Sequence, residues 1–246
     1  MVRPVAALLV MVMTVTTGCG TSDVARRPSA ALLAGVNRLA VVVEGDSTFR
    51  VTAERAGGDV GPLAFAGGAG LGGGFAALVA LVMLVAVLVA NAQMQRAAAV
   101  ADAGRAATIR PLIPGLSPRA IAVDTFAQTL RAGGRFEIEV LESEPGKDQR
   151  QRFDAVVLLR FPEWGFQSLR ANDPSLAAFV AVDARMVRSG RGESLWEQKD
   201  TVFGHGRQTL DELAADPELM RRELKDALET AGYRLAVELL YPRGKP

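Results

Sequence analysis

The amino-acid sequence predicts an α+β protein, in which helices pack on a mixed β-sheet, with an apolar leader and one Gly-rich, membrane-type apolar helix ahead of most of it. The chain has 246 residues, of which 49% are apolar, enough to bury a core. Runs with strand-like and helix-like spacing of apolar residues follow one another in its carboxy-terminal half. Their order (strand, apolar segment, helix, strand, strand, hairpin, helix) is typical of a mixed sheet covered by helices.

The composition excludes several classes of function. The chain has 28 basic and 27 acidic residues and a formal charge of +1. It therefore lacks the large positive charge with which proteins bind nucleic acid. It has one Cys and one His, so this chain alone can form neither a disulfide framework nor a Cys/His zinc site. We therefore expect no metal, no cofactor and no nucleic-acid partner.

Residues 1–18 have the pattern of a signal peptide. Arg3 forms a short basic region, and the apolar run Val5–Val15 is too short to span a bilayer. Small residues then lead directly to Cys19, the only cysteine. This pattern resembles the signal of bacterial lipoproteins, in which the cysteine thiol is acylated and the peptide is cut before it. An ordinary secretory signal with a chance cysteine is the alternative.

The resemblance implies where the protein is found. Cys19 would be the lipidation site, membrane lipid the first partner, and residues 19–36 a tether. In such lipoproteins Asp after the cysteine favours the inner membrane, whereas Gly20 here permits export to the outer membrane. Cleavage removes Arg3 and leaves 27 basic and 27 acidic residues, so the mature chain is formally neutral. We expect a lipoprotein of the cell envelope that faces the periplasm.

Residues 37–59 are predicted to hold the first strands of the domain. The run Arg38–Glu44 is apolar and β-branched, and Ser47–Glu54 is a second candidate strand. Gly45 and Asp46 supply the turn between them.

Residues 60–95 carry no charge. Within them Leu71–Ala90 is twenty residues long, enough for about 30 Å of helix, and predicts a helix inserted in or lying on a membrane. A helix buried within a soluble core is the alternative. A single span would carry everything after it across the membrane, whereas a re-entrant hairpin would keep both ends in the periplasm.

The glycines of this segment allow two interpretations. Two interleaved GxxxG pairs favour close approach of helices in lipid, and hence self-association; they are Gly68 with Gly72 and Gly70 with Gly74. The same tract matches GxGxxG, the dinucleotide-binding pattern. However, no acidic residue follows about 20 residues later to bind a ribose, which makes that interpretation weak.

Residues 96–116 are predicted to be a linker, and residues 117–246 an α+β periplasmic domain. Ser117 caps a helix that Pro118 starts and Gly133 ends. Asp216 caps a final helix, whose apolar residues recur at helical spacing. Gly232 lies within that apolar stripe, which predicts that the final helix packs closely on the sheet.

Four runs of the domain predict strands. Arg135–Glu142 alternates like a half-exposed strand, and Phe153–Phe161 contains a continuous apolar run, AVVLL, like a central one. Ala177–Arg188 and Ser194–Phe203 predict a hairpin. The alternation in its first arm predicts that Val180, Val182, Ala184 and Met186 face the core. Residues 144–152 are expected to form a polar loop, and residues 162–165 a turn.

These runs resemble known envelope proteins. The order of elements is similar to the TolB amino-terminal-like and CsgG-like domains of envelope lipoproteins. The mature chain more closely resembles a group of bacterial lipoproteins with a Val-rich first strand, a Gly-rich hydrophobic insert, an apolar strand (here FDAVVLLRF) and a strand that turns before Leu-Trp (here VDARMVRSGRGESLWEQKDTVF). That group has no established chemistry, so the resemblance implies a place and a shape, and it favours a periplasmic domain.

Few residues are candidates for chemistry. His205 lies between two glycines, where it is either a ligand or base or an ordinary turn residue. Glu137, Glu139 and Asp183 would support acid–base catalysis only if they converged in a cleft. Trp164, expected on a loop, is the candidate for exposed contact with a partner, together with His205, and Trp196 is expected to pack against the final helix.

The sequence thus favours a non-enzymatic scaffold or accessory factor for an envelope assembly, anchored by lipid at Cys19, with an unidentified envelope protein as partner. A periplasmic module that binds a small molecule or lipid between sheet and helices is the second hypothesis. A hydrolase with carboxylates around His205 is the third.

Overall fold

The structure is a computed structural model that describes residues 28–52, 74–170 and 173–242, and only the backbone of residues 74–88 and 91. The signal peptide, Cys19 and the glycines Gly68, Gly70 and Gly72 lie outside the described residues, so the predictions made for them stay predictions.

The described part is a mixed α+β fold. Its strands are β1 (Arg38–Val43), β2 (Thr48–Thr52), β3 (Glu137–Leu141), β4 (Ala155–Arg160), β5 (Glu163–Ser168), β6 (Ser175–Arg188), β7 (Ser194–Phe203) and β8 (Gln208–Thr209). Its helices are α1 (Gly74–Ile109), α2 (Pro118–Ala132), α3 (Lys147–Arg150), α4 (Leu210–Ala215) and α5 (Pro217–Leu240), and a 3-10 turn (Arg110–Leu112) follows α1.

The eight described strands form one mixed sheet around β6. The order β2-β5-β6-β4-β1-β3 contains parallel pairs (β1 with β3 and β4, β2 with β5) and antiparallel ones (β6 with β4 and β5). β7 and β8 pair antiparallel with β6 as well. The predicted hairpin is therefore confirmed, and β4 is a central strand between β1 and β6, as its apolar sequence indicated.

The main core lies between the sheet and the helices α2 and α5. On β6 the side chains of Val180, Val182, Ala184 and Met186 enter this core, as the alternation predicted. Ser117 accepts a hydrogen bond from the N–H of Ala120, and Asp216 accepts from two N–H groups at the start of α5. Both predicted caps are thus confirmed, and they fix where the two covering helices begin.

Gly232 shows how closely the two helices pack. A Cβ atom at Gly232 would overlap the carbonyl oxygen of Ala122 on α2. The close contact predicted for Gly232 is therefore with the neighbouring helix, not with the sheet. The periodicity of α5 identified a buried position but could not tell which element would meet it.

The helix α1 is longer than the predicted apolar helix. It continues through the predicted linker as far as Ile109, because residues 91–109 contain many alanines and no proline. No helix among the described residues combines the length and hydropathy that crossing a bilayer requires. The membrane helix predicted over Leu71–Ala90 thus has no support from that part of the chain, and most of its side chains lie outside it.

Three further short elements differ from the sequence predictions. The predicted turn at residues 162–165 is instead the start of β5, which pairs with both β2 and β6. The loop predicted over residues 144–152 contains the one-turn helix α3. A capping box formed by Thr209 and Glu212 starts α4, which the sequence analysis missed.

Candidate interaction surface

Trp164 is buried, with 1% of its surface exposed, so the prediction that it forms an exposed contact is wrong. The reason lies in β5, which carries Trp164 into the sheet. Its ring meets the ring of Phe49 edge to face, with 4.9 Å between centroids. At the next position, Gly165 has a φ of 142°, and a Cβ there would overlap the backbone of Arg50. Because glycine has no side chain, β2 can lie close against β5.

Arg110 covers this aromatic pair from the end of α1. Its guanidinium carbon lies 5.1 Å from the centroid of Trp164 and 5.8 Å from that of Phe49. The same guanidinium donates a hydrogen bond to the carbonyl of Ile113. Ile109 is buried beside it. These contacts fasten the last turn of α1 to β2 and β5.

Trp196 lies in the main core and is fully buried, as predicted. Its indole Nε1 has no hydrogen-bond partner in the described part of the chain. Trp196 therefore contributes packing and offers no surface for a partner.

His205 is exposed in the turn between β7 and β8, which fits a surface role. Its neighbour Gly206 lies against the carboxylate of Glu223 on α5. Among the described residues no three His, Cys, Asp or Glu side chains group as a metal site would need.

The predicted carboxylates do not converge. Glu137 lies 3.6 Å from Arg38, and Glu139 lies 3.7 Å from Arg152, all near the outer strand β3. Asp183 is on β6, and the strands β1 and β4 lie between it and β3. Three strand spacings correspond to roughly 14 Å, too far for two carboxyl groups to share a substrate bond. Asp183 therefore does not form an acid–base pair with Glu137 or Glu139.

A better candidate surface is the end of the domain where the chain enters it. β1 and β3 are parallel, and the N–H of Glu137 donates to the carbonyl of Asn37, so both strands start side by side. β4 starts there too, and β6 ends there, since Ala155 pairs with Arg188. Leu240 at the end of α5 touches Gly133 at the end of α2. We call this the tether end, defined by residues 37–38, 131–136, 152–155, 188–193 and 240–241.

Asp154 holds the tether end together. One of its carboxylate oxygens accepts hydrogen bonds from the backbone N–H groups of Arg38 at 2.9 Å and Asn37 at 2.8 Å. These bonds to the charged form lower the pKa of Asp154 below its ordinary value of 3.8. Its own carbonyl accepts from the N–H of Ser189, and Arg188 donates to the carbonyl of Leu32.

The tether end carries an excess of unpaired positive charge. Its acids are already engaged: Asp154 with the N–H groups of Asn37 and Arg38, and Glu193 with Arg188 at 3.4 Å. Glu137, the residue next to this end, pairs with Arg38. By contrast Arg131 at the end of α2, Arg135 before β3 and Arg191 in the β6–β7 turn form no ion pair with any described residue. Arg135 lies over the ring of Phe136 at 5.0 Å.

An exposed aromatic residue accompanies these arginines. Tyr241 follows the last residue of α5, and 75% of its surface is exposed. The sequence analysis missed this surface, because its members come from five separate segments that reach the same end of the sheet only in the folded domain. The parallel pairing of β1 with β3 and β4 was the missing information.

No protein-family model matches this chain, and no curated protein matches it either. The described fold therefore defines the class of protein: a mixed α+β domain with helices on a mixed sheet.

Solved structures similar to part of the chain include three bacterial proteins. A DUF330 protein from Xanthomonas campestris is 14% identical with a TM-score of 0.32, over 48% of this chain and 60% of that one. The PelC dodecamer from Paraburkholderia phytofirmans is 22% identical with a TM-score of 0.28, over 45% and 74%. Lipoprotein GNA1162 from Neisseria meningitidis is 16% identical with a TM-score of 0.29, over 42% and 85%. At such scores these likenesses carry no conclusion about what this chain binds.

Proposed function

We propose that this protein is a lipid-anchored, non-enzymatic scaffold or accessory factor of the bacterial cell envelope. The observation that carries the proposal is the position of Cys19, the only cysteine, directly after an apolar leader and three small residues. A cysteine at the cleavage point is acylated on its thiol and becomes the first residue of the mature chain. Two or more acyl chains hold a protein on a membrane where a single chain binds only weakly.

The described domain supports a role in binding. Both tryptophans lie in the core, and of the candidate carboxylates Asp183 on β6 is separated from Glu137 and Glu139 on β3 by two strands. The exposed turn at His205 and the tether end offer polar and aromatic side chains to other molecules. A domain with such a surface functions through its position at the membrane and through the molecules that it binds.

Acylation of Cys19 tests this proposal. Cells that make the protein would be fed an alkyne analogue of palmitate, and incorporation of the label would be read on the purified chain. We expect label in the parent and none in Cys19→Ser. The matched control is Ser22→Cys in the Cys19→Ser background, which keeps one thiol but moves it three residues along the chain.

Label at the displaced cysteine, or none in the parent, would contradict a lipoprotein signal. A reporter fused after Pro246 would show on which side of the inner membrane the domain lies. A periplasmic readout is expected, and a cytoplasmic one would end the proposal of a periplasmic scaffold.

A further inference from the structure

We propose that the tether end of the domain lies against anionic lipid headgroups, with Arg131, Arg135, Arg191 and Tyr241 as the contacting residues. This inference rests on the proposed lipid anchor, because the anchor is what keeps the domain near a bilayer. It adds which side of the domain faces that bilayer and which lipid chemistry the domain recognises.

The first argument is where the chain enters the domain. Only nine peptide steps separate Cys19 from Pro28, and an extended chain covers at most about 3.6 Å per residue. Cys19 therefore lies within roughly 32 Å of Pro28. Residues shortly after Pro28 belong to the tether end: Arg188 donates to the carbonyl of Leu32 at 3.0 Å, and Asp154 binds the N–H of Asn37. An acylated Cys19 thus keeps this end of the domain close to the membrane.

The second argument is charge. Arg131, Arg135 and Arg191 are not neutralised by any described carboxylate, whereas Glu137 and Glu193 already pair with Arg38 and Arg188. Each basic side chain near an anionic membrane surface contributes about 1 kcal/mol, which is about a fivefold change in partitioning. The three arginines come from α2, the loop before β3 and the β6–β7 turn, and so spread the charge across the width of the sheet.

The third argument is the chemistry of the side chains themselves. Tyr241 exposes its ring at the end of α5, and a tyrosine ring suits the boundary between headgroups and acyl chains. An arginine can lay its aliphatic stem on apolar surface while its charge stays among the phosphates. The guanidinium of Arg135 lies over the ring of Phe136, 5.0 Å from its centroid, and this contact holds its charge at the tether end.

Vesicle binding tests the proposal. The full mature chain with Cys19→Ser would be sedimented with vesicles of phosphatidylcholine alone and with vesicles of equimolar phosphatidylcholine and phosphatidylglycerol. We expect stronger binding to the anionic vesicles, and weaker binding as salt is added. Each of Arg131→Gln, Arg135→Gln and Arg191→Gln should lower the partition coefficient about fivefold. The triple variant should bind both kinds of vesicle equally.

Two matched control residues lie on α5, the helix that Tyr241 follows. Arg222 is exposed near the start of α5, and Tyr233 is 55% exposed two turns before Tyr241. Arg222→Gln and Tyr233→Ala should leave binding unchanged, whereas Tyr241→Ala should weaken it. Equal losses in the control and test variants would overturn the proposal, and so would a triple variant that binds like the parent.

A second measurement does not depend on removing charge. Ala132 and Ala120 are both exposed, at the end and near the start of α2. Each would be replaced by Cys in the Cys19→Ser background and labelled with a fluorophore that reports polarity. We expect a blue shift on anionic vesicles for Ala132→Cys and none for Ala120→Cys. The reverse pattern would place the other end of the domain on the membrane and overturn the proposal.

The two proposals can fail separately. Loss of palmitate labelling at Cys19 would contradict the lipid anchor and leave the vesicle result intact. Equal binding to neutral and anionic vesicles would contradict the lipid-facing tether end and leave the labelling at Cys19 intact.

Discussion

Two regions of the molecule differ in how closely their backbones approach one another. In the helix-covered layer and at the β2–β5 edge, Gly232 and Gly165 stand where any side chain would meet a backbone carbonyl. At the tether end, a Cβ at Gly133 would meet only the side chain of Leu240, and Gly134, Gly190 and Gly192 have open space where a Cβ would be. The first region is fixed by contacts that tolerate no added atom, whereas the second presents exposed side chains that can change without repacking the core. That difference separates the residues that hold the fold from those free to serve binding.

The largest effect is expected from Gly165→Ala. The new Cβ would overlap the carbonyl of Arg50, at a φ of 142° that other residues rarely adopt. Steric overlap and backbone strain together should lower the free energy of unfolding by about 3 kcal/mol or more. Urea denaturation measures the loss. Gly190→Ala, at another positive φ but in open space, is the control and should cost clearly less; equal losses would mean that β2 does not pack as described.

Gly232→Ala should have the next largest effect. Overlap with Ala122 costs about 1 to 3 kcal/mol, and the higher helix propensity of alanine returns about 1 kcal/mol of it. A net loss of up to about 2 kcal/mol is expected from the same denaturation experiment. Gly104→Ala on α1 has nothing within 4 Å and should stabilise slightly. A Gly232→Ala variant as stable as Gly104→Ala would contradict the close packing of α2 on α5.

Asp154 stabilises the tether end through its bonds to the backbone. Asp154→Ala removes the acceptor for two N–H groups and should cost about 1 to 2 kcal/mol, since the site is partly exposed. We expect the segments of the tether end to shift relative to one another when this carboxylate is removed. Asp124→Ala, an exposed acid on α2 without such bonds, is the control and should change the stability little.

Asp154 also predicts a pH dependence. Its pKa is lowered in the folded state, so the unfolded chain takes up the proton first as pH falls. The stabilisation by Asp154 is therefore complete above pH 3.8, its ordinary value, and is lost as pH falls through the lower pKa of the folded state. Stability curves of the parent and Asp154→Asn should converge over that range. Parallel curves would show that the two N–H groups do not favour the charged carboxylate.

The smallest effect is expected from Arg110→Ala. Loss of the cation–π contacts with Trp164 and Phe49 should cost less than about 1 kcal/mol, because Arg110 is exposed. Hydrogen exchange of residues 106–112 should accelerate about two- to fivefold, while the core strands stay unchanged. Arg96→Ala, on an exposed part of α1, should change neither. An equal acceleration in both variants would mean that Arg110 does not fasten the end of α1.

Local patterns determined much of this protein. The alternation in β6, the continuous apolar run of β4, and the caps at Ser117 and Asp216 each follow from side chains close in sequence, and the structure confirms them. The signal at Cys19 likewise depends on adjacent residues alone. Its confirmation, however, awaits an experiment, because it lies outside the described part of the chain.

The tertiary structure alone decided the rest. Trp164 is buried because β2, more than a hundred residues earlier in the chain, pairs with β5, and no local pattern records that pairing. Gly232 meets α2 instead of the sheet, and the arginines of the tether end reach the same end of the sheet only when β1, β3 and β4 start side by side. Helix and strand periodicities report which residues are buried, whereas the partner that buries them depends on contacts between distant segments.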